Sequence, residues 1–140
     1  MHNTQSIQRA CTELISQYAY LNDERRFDEL AALFTEDAVL YRPSSPDVAI
    51  VKPAAILQAF QQRPLDVMTF HVCSDVLIEV RGAHTATGRS RILLLSGMRP
   101  PDSPPALVAS KVPVPGVFHD AFRLTEQGWK FSERRGRFWI

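Results

Sequence analysis

Cysteine is scarce: Cys11 and Cys73 are the only two in 140 residues, set in separate apolar segments with no CxxC or ligand-like spacing. That excludes a disulfide scaffold and gives no zinc or redox motif, so two reduced, buried thiols and no metal site are expected. Charge of one sign is lacking too. Sixteen Lys and Arg stand against fifteen Asp and Glu, a formal net charge of +1, so no overall field draws the chain to nucleic acid or to an anionic membrane. Long hydrophobic runs are missing: the opening MHNTQSIQRACTELISQY has no stretch of signal-peptide length, and nowhere are there the roughly eighteen apolar residues of a membrane span. A cytoplasmic protein without a membrane partner is the expectation. Glycine is sparse, six against ten prolines, and the prolines gather at two expected loops, Arg42–Asp47 and Met98–Pro105.

What is present suits one domain, residues 1–140. The residues are 45% hydrophobic and 22% charged, enough apolar material for one core. Ile7, Cys11, Leu14, Ile15, Tyr18, Ala19 and Leu21 recur at three- and four-residue steps and predict a helix over about residues 5–22. Phe27, Leu30, Ala31, Leu33 and Phe34 predict a short second helix, with Asp28 and Glu29 near its positive end. A strand over 38–41 and an apolar run over 48–51 follow, and Pro53 opens a third helix that Pro64 stops. From there the pattern turns to strands over 69–80, 85–96, 112–124 and 129–139, joined by turns at 81–84 and 126–128. Helices first and a meander of long strands after predict an α+β domain, with helices on one face of a curved sheet.

Such an arrangement leaves a conical cavity, the usual setting for a small-molecule site. Two polar residues in apolar segments stand out, Asp23 at the end of the first helix and His71 within the strand over 69–80. Alternation places His71, Cys73 and Asp75 on one face of that strand and Val72, Val76, Ile78 and Val80 on the other. Arg134, Arg135 and Arg137 form the densest basic cluster and are expected at a solvated or dimer-facing edge rather than on nucleic acid. The apolar tail Phe138–Ile140 is expected to be packed, in its own sheet or against a second subunit.

The run Tyr18-Ala-Tyr-Leu-Asn-Asp23 through Phe27, Leu30, Phe34 and Asp37-Ala-Val resembles the opening of SnoaL-like proteins of the NTF2-like, cystatin-like superfamily. His71-Val-Cys-Ser-Asp75, Gly116-Val-Phe-His-Asp120 and Gly128-Trp-Lys-Phe131 are similar to that family's later strands. The resemblance implies a cone of three N-terminal helices on a curved, mainly antiparallel six-stranded sheet, commonly dimeric. Its scytalone-dehydratase-like branch includes dehydratases, dehydrohalogenases, isomerases and polyketide cyclases, many needing no cofactor. In that branch a His–Asp pair abstracts a proton, and the roles fall on His71 as general base and Asp23 as its partner. The chemistry is reasonable in itself, because imidazole accepts a proton near neutral pH and a carboxylate fixes its tautomer. Tyr18, Phe34, Tyr41, Cys73, Asp75, Arg91 and His119 are the expected pocket lining.

A cofactor-independent lyase or isomerase acting on a small cyclic or aromatic compound is therefore the first expectation, with a homodimer or higher homo-oligomer formed through the sheet. The near-neutral composition suits an uncharged or weakly charged ligand. The alternatives are a non-catalytic small subunit, like those that assemble with the large subunit of ring-hydroxylating dioxygenases, and a module that binds a small ligand without chemistry.

Overall fold

The computed structural model describes residues 3–99 and 109–139. Helix α1, Thr4–Asp23, opens on Asn3, whose side chain accepts from the Ser6 amide at 2.8 Å, satisfying one of the amides a helix start leaves without a partner. Its stripe is buried as the spacing predicts from Ile7 through Cys11, Leu14, Ile15 and Tyr18 to Ala19, while Leu21 is half-buried against the core. The second helix, α2, is only Phe27–Ala31 and does not reach Phe34. The carbonyl of Leu33 instead accepts from the Phe131 amide at 2.9 Å, a sheet bond that commits the chain to strand β1, Phe34–Arg42. Strand β2, Ser45–Val51, returns by a tight hairpin in which Arg42 pairs with Ser45. The expected loop over 42–47 is thus mostly strand. Pro46 is tolerated there because β2 lies at the sheet edge, where a missing amide breaks no ladder.

Helix α3, Pro53–Gln61, is followed by two fourteen-residue strands, β3, Val67–Val80, and β4, Thr85–Met98. A two-residue strand β5, Ala109–Ser110, pairs with the end of β4. Strands β6, Val114–Thr125, and β7, Gly128–Phe138, complete the sheet. The six long strands run in the order β2-β1-β7-β6-β4-β3, antiparallel throughout except for the parallel pair β1 and β7. Most of the expected proline loop lies outside the described residues. No helix among the described residues is long and apolar enough to cross a membrane.

Helices α1 and α3 cover one face of this sheet, and the aromatic core lies between. Phe34, Phe118, Phe122 and Phe131 are buried, and the Tyr18 ring meets Phe34, Phe60, Phe118 and Phe131 edge-on at 6.1 Å. The β1–β2 hairpin can lie this close to β7 only because position 136 lacks a side chain. A Cβ on Gly136 would stand 2.6 Å from Pro43 Cδ and 2.7 Å from a Phe118 ring carbon. Replacing Gly136 by alanine is therefore expected to cost about 1–3 kcal/mol through overpacking, read as a lower urea midpoint with an unchanged slope.

Two irregularities change which side chains face inward. The β3–β4 register slips between Ser74 and Leu77, and Asp75 takes a left-handed φ of 53°. The bulge reverses the parity, so Val76, Ile78 and Val80 join His71 and Cys73 on the inner face and Asp75 turns outward, opposite to the strict alternation. A second slip, where β7 carries Ser132 as an extra residue against Ala121 and Phe122 of β6, brings Arg134 inward. Arg134 is fully buried, not on the expected solvated edge, while Arg135 and Arg137 are exposed. The thiols are free as expected, Cys11 buried and Cys73 half-buried. Of the expected packed tail, Phe138 is half-buried at the end of β7, Trp139 is 68% exposed, and Ile140 lies outside the described residues.

Candidate active site

The site begins with how α1 ends. Arg25 takes a left-handed φ of 60°, and the amides of Arg25 and Arg26 turn back to the carbonyls of Asn22 and Leu21 at 3.3 and 2.9 Å. This is the double-bonded helix stop that glycine usually makes. A non-glycine residue in that conformation costs on the order of 1 kcal/mol. Here the Arg25 side chain is held in compensation, its guanidinium donating to the carbonyls of Arg63, Pro64 and Val67. Arg63, just past α3, donates to the Asn22 carbonyl at 3.1 Å and to its side-chain oxygen at 2.5 Å. Two arginines thus tie the end of α1 to the approach of β3, and the last helical residue, Asp23, is aimed at that strand.

The Asp23 carboxylate accepts three hydrogen bonds from β3. The His71 backbone amide donates to Oδ2 at 2.8 Å, Thr69 Oγ1 donates to Oδ1 at 2.8 Å, and His71 Nδ1 lies 2.5 Å from Oδ1. A carboxylate accepts only, so Nδ1 carries the proton and the second ring nitrogen, Nε2, keeps its lone pair. The two side chains are 10% and 18% exposed for His71 and Asp23. His71 lines a cavity of about 690 Å³ between the helices and the sheet, together with Tyr18, Phe60, Arg63, Ile92 and Phe118. It also lines a recess of about 550 Å³ between α1 and β3, shared with Asp23, Thr69 and Cys73.

Tyr18 reaches the cavity as expected. Burial pushes its phenol up to about 12, against the pull of Arg134 and Arg42, so it stays protonated and has a donor to offer. Arg42 and Arg63 also line the cavity. Burial lowers Arg63 from its ordinary value, and the neighbouring charges of Arg25 and Arg42 add to this while Asp23 opposes it. Beneath the cavity Arg134 stacks its guanidinium 3.7 Å from the Phe118 ring centre and 4.3 Å from that of Tyr18. Its Nε lies 3.1 Å from Asp120 Oδ1, both side chains completely buried. The contact is ionic rather than directed, for neither side chain makes a well-aligned hydrogen bond among the described residues. Burial pushes the Asp120 carboxyl up to about 6, with Arg134 drawing it down.

Several expected lining residues are elsewhere. Asp75, Arg91 and His119 do come together, but in a recess on the opposite face of the sheet, where Asp75 and Arg91 stand 3.6 Å apart. The bulge at Asp75 accounts for the first. His119 follows from the clean alternation of β6, which turns Gly116, Phe118, Asp120 and Phe122 inward and His119 out. Tyr41 stacks on the exposed Arg135 at 4.2 Å, away from the cavity. Phe34 is core, packed 5.2 Å from Phe131, and Cys73 lines the α1–β3 recess. Sequence reasoning passed over Asn22, Arg42, Arg63, Thr69 and the Asp120–Arg134 pair. The sequence does carry a signal for Asp120, an acid at an inward position of an otherwise apolar alternation. Among the described residues no three His, Cys, Asp or Glu side chains gather as metal ligands would.

Residues 5–135 match the family described as the SnoaL-like domain. The chain is a SnoaL-like protein. No protein of curated function matches its sequence, but its fold is shared by solved structures. One, from Novosphingobium aromaticivorans DSM 12444 and provisionally assigned as a scytalone dehydratase, is 23% identical with a TM-score of 0.79, covering 97% of this chain and 86% of the other. A hexachlorocyclohexane dehydrochlorinase, LinA-type3 from Novosphingobium barchaimii LL02, is 20% identical with a TM-score of 0.79, covering 97% and 88%. An NTF2-like protein with a cystatin-like fold from Novosphingobium aromaticivorans is 20% identical with a TM-score of 0.74, covering 94% and 80%. At these identities the likeness is one of fold, and the SnoaL-like chain has the NTF2-like, cystatin-like architecture.

Proposed function

We propose that this SnoaL-like protein is a lyase or isomerase that removes a proton from a small cyclic or aromatic substrate, with His71 as the general base. The observation that carries the reading is the bond from His71 Nδ1 to Asp23 at 2.5 Å, which leaves Nε2 as a base on a residue lining the cavity. In the proposed step Nε2 takes a proton from a carbon next to a carbonyl. The electron pair either forms a carbon–carbon double bond as hydroxide or halide departs, or rests on the carbonyl oxygen until another carbon is protonated. Asp23 stabilises the imidazolium, and the step calls on no cofactor. The likeness to proteins named for dehydratase and dehydrochlorinase activity supports the choice of reaction class.

The test is a panel of small cyclic β-hydroxy and β-halo ketones in D₂O, followed by NMR for deuterium entry next to the carbonyl and for loss of the leaving group. His71-dependent exchange or elimination is the expected outcome. Exchange that is no faster than in buffer across the panel would overturn the reading.

We also propose that the outer face of β3, β4 and β6 is covered by a second copy of the chain. Phe70 and Trp139 are 63% and 68% exposed there, with Val72 and Leu93 between, and Asp75 beside Arg91 supplies both signs. A patch carrying both charges around an apolar centre can face itself across a twofold axis. Light scattering after gel filtration is expected to give a multiple of 15.8 kDa, and Val72→Glu with Leu93→Glu is expected to give the single chain. A monomeric wild type would overturn this.

A further inference from the structure

The near-neutral composition conceals a local imbalance. Among the described residues the cavity is lined by two arginines, Arg42 and Arg63, and by no aspartate or glutamate. Neither arginine has a carboxylate within salt-bridge distance among those residues. The two come from different elements, the end of β1 and the segment after α3, yet sit on the same ring, 5.7 and 5.9 Å from the centre of Phe60. Arg25 adds a third positive charge to the neighbourhood of Arg63, and Asp23, the charge that opposes them, is already engaged by His71 and Thr69. Holding Asn22 accounts for two nitrogens of Arg63. It accounts for none of Arg42, whose Nε is buried with no acceptor among the described residues. A buried donor without a partner is destabilising, and clustered like charge adds to that cost. A ligand that brings an acceptor and a negative charge removes both.

We infer that the cavity selects a substrate bearing a carboxylate, held by Arg42 and Arg63 while its ring lies against the apolar wall of Ile50, Phe60, Ile92 and Phe118. The inference deepens the proton-abstraction reading and rests on it for the reaction, but the selection itself is one of binding. Guanidinium is suited to it, because its planar fork meets both carboxylate oxygens and it remains protonated even when buried. The carboxylate anchors the substrate, which leaves the carbon to be deprotonated free to face His71.

The probe pair is 2-naphthoate and 2-naphthamide, nearly the same in shape and differing in charge, titrated into the whole protein by calorimetry at neutral pH. The wild type is expected to bind the carboxylate at least about tenfold more tightly. Arg42→Gln is expected to abolish that preference and Arg42→Lys to keep part of it, with circular dichroism confirming that each is folded. Equal affinity for the two probes, binding of neither at millimolar concentration, or a preference that survives both Arg42→Gln and Arg63→Gln would each overturn the inference. The wild-type comparison depends on no variant. The same titration on His71→Ala separates this inference from the reaction, since a failed proton-abstraction reading leaves the naphthoate preference in place.

Discussion

Replacing His71 by alanine is expected to lower turnover of a substrate found in the ketone panel by about 10² to 10⁴, the usual contribution of a positioned general base. The cause is local. His71 is the ring whose Nδ1 is fixed by Asp23 at 2.5 Å, so alanine removes the one nitrogen that the geometry leaves as a free base at the cavity wall. Thr69 and the backbone amide at position 71 still hold the carboxylate at 2.8 Å each, and the end of α1 stays tied down by Arg25 and Arg63. Substrate affinity is therefore expected to change less than the rate, with the loss in kcat. Steady-state kinetics on the folded variant make the comparison. An alanine variant that turns over at the wild-type rate would remove His71 from the mechanism and leave a cavity that binds without this chemistry.

Arg134→Met is expected to destabilise the fold by about 3–5 kcal/mol at pH 8, a fall of roughly 10–17 °C in Tm for a domain of this size. Methionine fills much of the space against Tyr18, Phe118 and Phe131 but leaves Asp120 buried with no counter-charge. The pH dependence identifies the cause. Burial already raises the Asp120 carboxyl from 3.8 to about 6, with Arg134 as the influence lowering it. A folded value above the unfolded one means that the native state holds its proton more tightly, so stability declines as pH rises from 3.8 to about 6. Without Arg134 the folded value rises further and the decline continues beyond that point. The gap between the two proteins is therefore expected to be small at pH 5 and to widen above pH 6, measured as urea midpoints across the series. Adding Asp120→Leu to the variant is expected to restore most of the loss, because an apolar pair of similar volume escapes the desolvation of both charges. A gap that is constant with pH would mean that the aromatic packing of Arg134, and not its charge, stabilises the core.

Helix α1 was legible because its apolar stripe keeps one period from Ile7 to Ala19, and so were the four long strands and the pairing of Asp23 with His71 through the family resemblance. What was not legible traces to single residues. The extra residue at Asp75 and the one at Ser132 each reverse inside and outside for the remainder of a strand, and no periodicity in the sequence announces a bulge. That is why Asp75 was expected in the cavity and Arg134 on the surface. The short α2 was legible but its end was not, since the carbonyl of Leu33 bonds to an amide almost a hundred residues away and a local pattern carries no record of that partner. His119 is a misreading rather than a hidden fact, for Phe118 and Phe122 alternate cleanly on either side of Asp120.

Strand β3 lies at the edge of the sheet, with β4 on one side and α1 on the other, and the pair it completes joins residues 48 positions apart. Contacts of that sequence separation are slow to assemble because a long loop must close first. Edge strands also open at lower free energy than the strands between them. A chain whose aromatic core is intact but whose β3 has come away from α1 is compact and native-like, yet lacks the His71–Asp23 bond on which the proposed base depends. On the proposed mechanism, the undocking of one strand is expected to limit the working lifetime, with activity lost at a lower temperature than the core melts.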